Sequence, residues 1–364
     1  MSDKIKVLHV SHFPHYKMGG QKSMLALMEN LDSKQVENYG LTTDIGELTD
    51  KFDEMGVKYF TIPLTKLSLN NIFKVIRNAL EIRRICNKNK IDIIHSDYER
   101  DGFLCGLATL GTKTKSVWHV RVTNPNNLDN LNYKLSDKLI CISEGARKRF
   151  VDNEEKTKVI FNGVDCSLFK PVVNKDELKS ELGMESNKFT TLFVGQMKIG
   201  KGIYEIIETA KMLPDVEFIL LGEFLNEIEK SNWLNKVDEL GIRNIEWLGQ
   251  KQGIHKWMQA ADCLLLPSYE GAEGMGRVVF EAMACGTPPI ASNISGVNEA
   301  VTIESGILIP EKDSDAIANA VKELFDNKDI WEELSINGRK RALDTFDIRI
   351  HAEKVSNLYK ELLD

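Results

Sequence analysis

The chain has 364 residues, of which 42% are apolar and 28% charged, with a formal net charge of −7. That length exceeds one ordinary domain, and the composition excludes a disordered or fibrous chain. The acidic balance argues against a general nucleic-acid binder, so no nucleic-acid partner is expected.

The opening MSDKIKVLHV has neither a long apolar segment nor a cleavage site, and Val7-Leu8-His9-Val10 reads as the first strand. The loop Met18-Gly19-Gly20-Gln21 comes next, before a helix. Two glycines let backbone approach a ligand, and a helix N-terminus carries partial positive charge, although a plain turn explains the pair equally well. Asn71–Lys90 has apolar residues at helical spacing. Its segment Lys74–Lys90 carries Lys74, Arg77, Arg83, Arg84, Lys88 and Lys90 against one acid, Glu81. Such a face either attracts anionic lipid or is simply solvated. Further strands are predicted at 91–94, 116–120 and 138–142, and another ends at Val159-Ile160-Phe161 before the turn Asn162-Gly163. His12, His15, Lys17, Asp97, Tyr98, Glu99 and Arg100 follow strand ends and are candidates to line a pocket, each being equally a solvated side chain.

The polar stretch 165–188, with Pro171, reads as a linker with a short helix near 176–182. The alternation then restarts, with strands at 191–194, 216–221, 245–248, 263–266 and 289–291 and helices between. The last stretch, 347–364, is an amphipathic helix whose apolar face includes Val355, Leu358 and Leu362 and must dock somewhere. Near-continuous apolar strands alternating with helices imply parallel sheets covered on both faces, hence an α/β chain of two doubly wound domains, 1–168 and 169–346. The six cysteines lie at 86, 105, 141, 166, 263 and 285, mostly in apolar runs and never as a CxxC pair. They read as reduced, buried thiols, and with no Cys or His at ligand spacing no metal site is expected. No apolar run approaches the ~20 residues that span a bilayer. The expected location is the cytoplasm, either free or at the inner face of a membrane.

Ligands of open α/β sheets bind beyond the carboxyl ends of strands. Gly195-Gln196-Met197-Lys198-Ile199-Gly200-Lys201-Gly202 follows the first strand of the second half and opens a helix. Its glycines and lysines suit a diphosphate, or else form a solvated turn; the spacing is not that of a P-loop. The block from Pro267 to Pro288 is richer. Glu273 lies in a glycine-rich loop and Glu281 inside the following helix, pinned by Val278, Val279 and Ala282. Carboxylates accept from paired hydroxyls, so one can hold a ribose and the other a hexose. The amides of Met275, Gly276 and Val278 are placed for phosphate or sugar oxygens.

The order and spacing of several blocks resemble the retaining glycosyltransferases of family 4 (glycosyl transferases group 1), which have the GT-B fold. The matching blocks are Ile142-Ser143-Glu144, Val159 to Asp165, Phe193 to Gly202, Ala261 to Ser268, the two glutamates of the 267–288 block, and Gly296 to Pro310. The resemblance implies two Rossmann-like domains facing across a cleft, with the C-terminal helix crossing back onto the first. It implies a metal-independent enzyme without cofactor, taking a UDP- or GDP-sugar donor and a glycan or lipid-linked acceptor, in cell-surface polysaccharide or glycoconjugate biosynthesis, with peripheral membrane contact left open. Glu281 would hold the ribose, and Glu273 would contact the transferred sugar, with Gly274, Met275, Gly276 and Val278 on the donor. Lys201 would neutralise the diphosphate, aided by Gly19 and Gly20. His119, in Trp118-His119-Val120-Arg121, would lie near the sugar, unless it is a histidine satisfied at a strand end. One departure stands out: Gln196 occupies the position where the family usually has arginine. A charged hydrogen bond is worth roughly 1.5–3 kcal/mol, and Lys198 is the candidate to replace it. A GT-B epimerase or phosphorylase, or a non-catalytic sugar-nucleotide-binding subunit, are the rival readings.

Overall fold

A computed structural model describes residues 4–16, 19–65 and 67–364. It contains two compact units, Met1–Gly163 with Ile348–Asp364, and Val164–Asp347.

The first unit is built on seven strands: β1 (Ile5–Val10), β2 (Val36–Thr42), β3 (Lys58–Thr61), β4 (Ile93–Ser96), β5 (Lys115–Val120), β6 (Lys138–Cys141) and β7 (Thr157–Val159). All pair in parallel, in the order β3-β2-β1-β4-β5-β6-β7. Side chains alternate across a strand, so neighbouring residues feed different cores. Val7, Ile93 and Val117 pack with Leu27, Val355, Leu358 and Tyr359. Leu8, Val10 and Ile94 pack with Val75, Ala79, Ile82, Leu104 and Cys105. The terminal helix Ile348–Leu363 thus buries the stripe seen in the sequence against this sheet and the helix Gly19–Asn30.

The second unit has six parallel strands: β8 (Phe189–Val194), β9 (Val216–Leu221), β10 (Ile245–Trp247), β11 (Cys263–Leu266), β12 (Pro289–Ser292) and β13 (Ile307–Ile309), ordered β10-β9-β8-β11-β12-β13. Its largest core gathers Phe193, Ile206, Phe218, Trp233, Leu265, Ile290 and Val321. The short helix Lys175–Leu182 is capped by Asn174, whose side chain accepts from the Glu177 amide at 3.2 Å, and ends at Gly183 with φ +79°.

Residues 164–169 are held by the second unit, so the division falls a few residues before the one read after residue 168. The Val164 amide donates to the Phe346 carbonyl at 2.8 Å. The Arg339 guanidinium donates to the carbonyls of Cys166 (3.1 Å) and Phe169 (2.8 Å). All six cysteines are free and buried, and burial pushes the Cys86, Cys141 and Cys166 thiols up to about 12. Among the described residues, no helix is long and apolar enough to cross a membrane.

Candidate functional site

Strand order in the second sheet reverses between β8 and β11, which opens a crevice at their carboxyl ends. The loops leaving these two strands are tied together. The Tyr269 amide donates to the Gly200 carbonyl at 2.9 Å. Lys201 Nζ donates to the Ala272 carbonyl at 3.0 Å and to Glu273 Oε1 at 2.5 Å. Glu273 Oε1 also accepts from Ser268 Oγ at 2.9 Å. Gly202, at φ +72°, lies so close to this second loop that a Cβ would stand 2.2 Å from the Pro267 carbonyl oxygen. Gly296, at φ +83°, would put a Cβ 2.1 Å from the Gly274 carbonyl oxygen, so the loop after β12 closes on the same place.

Two helices begin at this convergence. Ile203–Met212 starts from Gly202 and Arg277–Cys285 from Gly276, both glycines left-handed and neither supplying a side-chain cap. No side chain of the cap residue closes either helix start, and the partial positive charge of each helix end is aimed at the crevice rim. Val279, Phe280, Ala282 and Met283 anchor the second helix in the core, while Val278 is half-buried. Glu281 is buried on this helix, and its Oε1 accepts from Arg277 Nε at 2.7 Å. Gln196 is exposed. Lys198 is half-buried at the start of the turn Ile199–Lys201 and makes no ion pair among the described residues. Lys201, Glu273, Gly274, Met275, Gly276, Val278 and Glu281 thus share one end of one sheet.

The first sheet reverses between β1 and β4, and a second constellation forms there. Gly19 and Gly20 open the helix Gly19–Asn30. A Cβ on Gly20 would meet the Tyr98 hydroxyl at 2.5 Å, whereas nothing lies within 4 Å of one on Gly19. The Asp101 carboxylate accepts from the His12 amide at 3.0 Å and lies 2.9 Å from His12 Nδ1. The carboxylate favours the tautomer with the proton on Nδ1. Phe13 and Tyr98 flank the imidazole, at ring-centroid distances of 3.9 and 5.0 Å. His15 is exposed, and Lys17 lies outside the described residues.

His119 differs from its expected place beside a sugar, because it has no accessible surface. Its ring packs between His95 and His351, at 5.3 and 5.9 Å. Nδ1 lies 3.1 Å from His95 Nε2 and 3.4 Å from Arg121 Nη2. Arg121 can only donate, so His119 Nδ1 accepts and its proton sits on Nε2. His95 then donates from Nε2 and accepts the Tyr359 hydroxyl at 2.5 Å through Nδ1. Burial, reinforced by Arg121 and neighbouring imidazoles, holds His95 and His119 well below the ordinary histidine range. Arg121 binds Asp97 at 2.7 Å and donates to Asn162 Oδ1 at 2.8 Å. His95, Asp97 and His119 offer ligand atoms within 4.8 Å of one another. Arg121 already neutralises that carboxylate and the two imidazoles bond each other, so the group fits a hydrogen-bond network better than a cation.

Sequence reasoning overlooked Arg277, Ser268, Asp101 and Arg121. Arg277 is four residues before Glu281 on one helix, a spacing that alone signals an ion pair. Asp101 is 89 residues from His12, and nothing along the chain announces that pairing.

Comparison with known proteins places two family signatures in tandem: Glycosyltransferase Family 4 matches residues 18–168, and Glycosyl transferases group 1 matches residues 174–341. The chain is similar to an Escherichia coli UDP-Gal:alpha-D-GlcNAc-diphosphoundecaprenol alpha-1,3-galactosyltransferase, 30% identical over 99% of this chain and 98% of that one. It is 25% identical, over 87% of its length and 89% of the relative's, to an N,N'-diacetylbacillosaminyl-diphospho-undecaprenol alpha-1,3-N-acetylgalactosaminyltransferase of Campylobacter jejuni. Its fold is similar to that of Anabaena HepE, crystallised in complex with UDP, with a TM-score of 0.85 over 99% of this chain and 100% of that one at 19% identity.

Proposed function

We propose that this chain, which belongs to the group 1 glycosyl transferases, moves a hexose or N-acetylhexosamine from a nucleotide-diphosphate donor to a lipid-linked or glycan acceptor. The reaction retains anomeric configuration, needs no metal, and serves polysaccharide or glycoconjugate biosynthesis. One observation carries the donor assignment. Lys201, Glu273, Glu281 and two uncapped helix N-termini gather on the loops and helices that follow β8 and β11, where the sheet order reverses. A nucleoside diphosphate needs that combination: positive potential for two phosphates and carboxylates for vicinal hydroxyls. The diphosphoundecaprenol acceptors in the names of the two bacterial relatives support a lipid-linked acceptor here.

Departure of the nucleotide concentrates negative charge on the distal phosphate. Lys201 and the amides at the starts of Ile203–Met212 and Arg277–Cys285 stabilise that charge more in the transition state than in the ground state. They act as fixed dipoles and one ammonium, so no cation is required for this step. Lys201 is held by Glu273 and the Ala272 carbonyl before the donor arrives. A phosphate displaces part of that shell and frees Glu273 for a sugar hydroxyl. Glu281 accepts from the ribose hydroxyls, with Arg277 fixing its rotamer. Neither glutamate serves as nucleophile. The acceptor hydroxyl attacks from the leaving-group face, and the departing phosphate takes its proton. His119 acts from behind Arg121 rather than on the sugar, which its burial supports.

The test has three arms. Lys201→Ala and Glu281→Ala should each lower turnover at least tenfold, with Glu281→Ala also weakening nucleotide binding; unchanged kinetics in both removes the assignment. The anomeric configuration of the product reports retention, and full activity in a chelator reports metal independence. Incubation of the donor without acceptor should yield no new sugar nucleotide, since an epimerase would make one.

A further inference from the structure

The first sheet has its own crevice, at the carboxyl ends of β1 and β4. His12 lies two residues beyond β1, and Asp101 lies in the first turn of the helix Glu99–Thr109, which follows β4. The loop that carries His12 is fixed from three sides. The His12 carbonyl accepts from Thr43 Oγ1 at 3.0 Å. The start of the helix Glu47–Glu54 holds Pro14 and Tyr16, through the Leu48 amide and Glu47 Oε2, each at 2.9 Å. Asp101 holds His12 itself. That carboxylate is fully buried, while His12 keeps 16% of its side-chain surface exposed. A carboxylate out of water is costly unless it is paired, and its hydrogen-bond partners among the described residues are the amide and Nδ1 of His12. Asp101 thus aims one ring: with the proton on Nδ1, Nε2 carries a lone pair. Phe13 and Tyr98, both half-buried, pack on the imidazole and, at 5.2 Å, on each other.

We infer that this cluster receives the acceptor: an acceptor sugar packs a C–H face on Phe13 and Tyr98 and donates one hydroxyl to His12 Nε2, with Asp101 as the positioning residue. The chemistry selects a neutral sugar over a phosphate. A lone pair backed by a carboxylate accepts from a hydroxyl and repels an anion. A pyranose is apolar on its C–H faces and polar around its rim, so it needs aromatic surface beside a few oriented polar groups. The inference rests on the transferase reading and names the acceptor's site within it. The departing phosphate takes the proton of the attacking hydroxyl, so His12 holds a neighbouring one and decides which position of the acceptor faces the donor.

The probes are hexyl diphosphates of N-acetylglucosamine, N-acetylgalactosamine, glucose and galactose, with hexyl diphosphate itself as the sugar-free control. Titration calorimetry measures their binding to the full chain without donor. Two variants separate the contact from the fold. His12→Asn keeps a donor for Asp101 but lacks the nitrogen that faces the sugar, and His12→Gln keeps an acceptor oxygen near the place of Nε2. The tightest sugar probe should bind His12→Asn on the order of tenfold more weakly than the wild type, with partial recovery in His12→Gln. Hexyl diphosphate should bind all three alike. Among monodeoxy analogues of that probe, one should bind the wild type on the order of tenfold more weakly than the parent sugar, yet bind His12→Asn as well as the parent does. In transfer assays the loss should fall on the acceptor KM, with the donor KM and kcat nearly unchanged. No binding of any sugar probe, equal affinity of wild type and His12→Asn, an equal loss for hexyl diphosphate, or losses that add independently for every deoxy analogue overturns the inference. So does a fall in kcat with an unchanged acceptor KM. Probe binding that depends on His12, without transfer from any nucleotide sugar, overturns only the proposed function; transfer that is indifferent to His12→Asn overturns only this inference.

Discussion

The Lys201–Glu273 pair separates catalysis from scaffold if the two side chains are changed singly and together. Both are mostly buried, with 14% and 12% of their side-chain surface exposed, and they meet at 2.5 Å. Lys201→Met takes the ammonium from Glu273 and keeps the Ser268 hydroxyl, at 2.9 Å, on its carboxylate. Depriving that mostly buried carboxylate of its cation should cost about 1–3 kcal/mol of stability, a fall in Tm of roughly 2–4 °C per kcal/mol for a domain of this size. Glu273→Gln removes the stranded charge, so the double variant Lys201→Met/Glu273→Gln should regain most of the lost Tm. Turnover should behave differently. A charge-assisted contact to the leaving phosphate is worth about 1.5–3 kcal/mol, or about ten- to one hundredfold in kcat. That loss should persist in the double variant, because no neutral neighbour replaces an ammonium. The assays are thermal melts and single-turnover transfer with a saturating donor. If the double variant recovers turnover along with stability, Lys201 serves only to hold Glu273, and the diphosphate assignment falls.

Gly202→Ala must relieve both a φ of +72° and a Cβ 2.2 Å from the Pro267 carbonyl, whereas Gly241→Ala, at φ +65° with nothing within 4 Å, pays only the backbone term. Urea denaturation should show a loss of about 1 kcal/mol for Gly241→Ala and at least about 2 kcal/mol for Gly202→Ala, with nucleotide affinity falling in the latter alone; equal losses would mean that the loops do not touch. Gln196→Arg restores a cation beside the diphosphate loop and should raise kcat about tenfold; an unchanged rate would show that Lys198 already fills that role. Buried, neutral imidazoles make stability pH-dependent. Burial holds His9 down to about 4, partly opposed by its hydrogen bond to Asn38, and His95 and His119 shift in the same direction. The unfolded chain therefore binds more protons between pH ~6.5 and ~4. Stability is fully present above that window and falls through it, by about 3 kcal/mol from His9 alone. Urea midpoints that stay flat from pH 7 to 4.5 would show these rings to be solvated.

Much of this molecule could be read along the chain, because the signals are local. Apolar strands bounded by turn residues marked β1, β5, β8, β9, β11 and β12, and the 3.6-residue stripe marked the terminal helix. β2, with the sequence VENYGLT, and the three-residue β13 escaped, since their burial depends on neighbours rather than on their own pattern. The loops around Lys201 and Glu273 were recognisable from glycines next to charged residues. That Lys201 bonds Glu273, 72 residues away, is a consequence of β8 lying beside β11, a strand order that no periodicity encodes. The same holds for His12 with Asp101, and for the enclosure of His119 by His95, His351 and Arg121, which removed it from the role its motif suggested. Residue type and spacing along the chain determined which groups are available for chemistry. Only tertiary structure decided which of them meet, because hydrogen bonds and burial act over a few ångströms in space, whatever the separation in sequence.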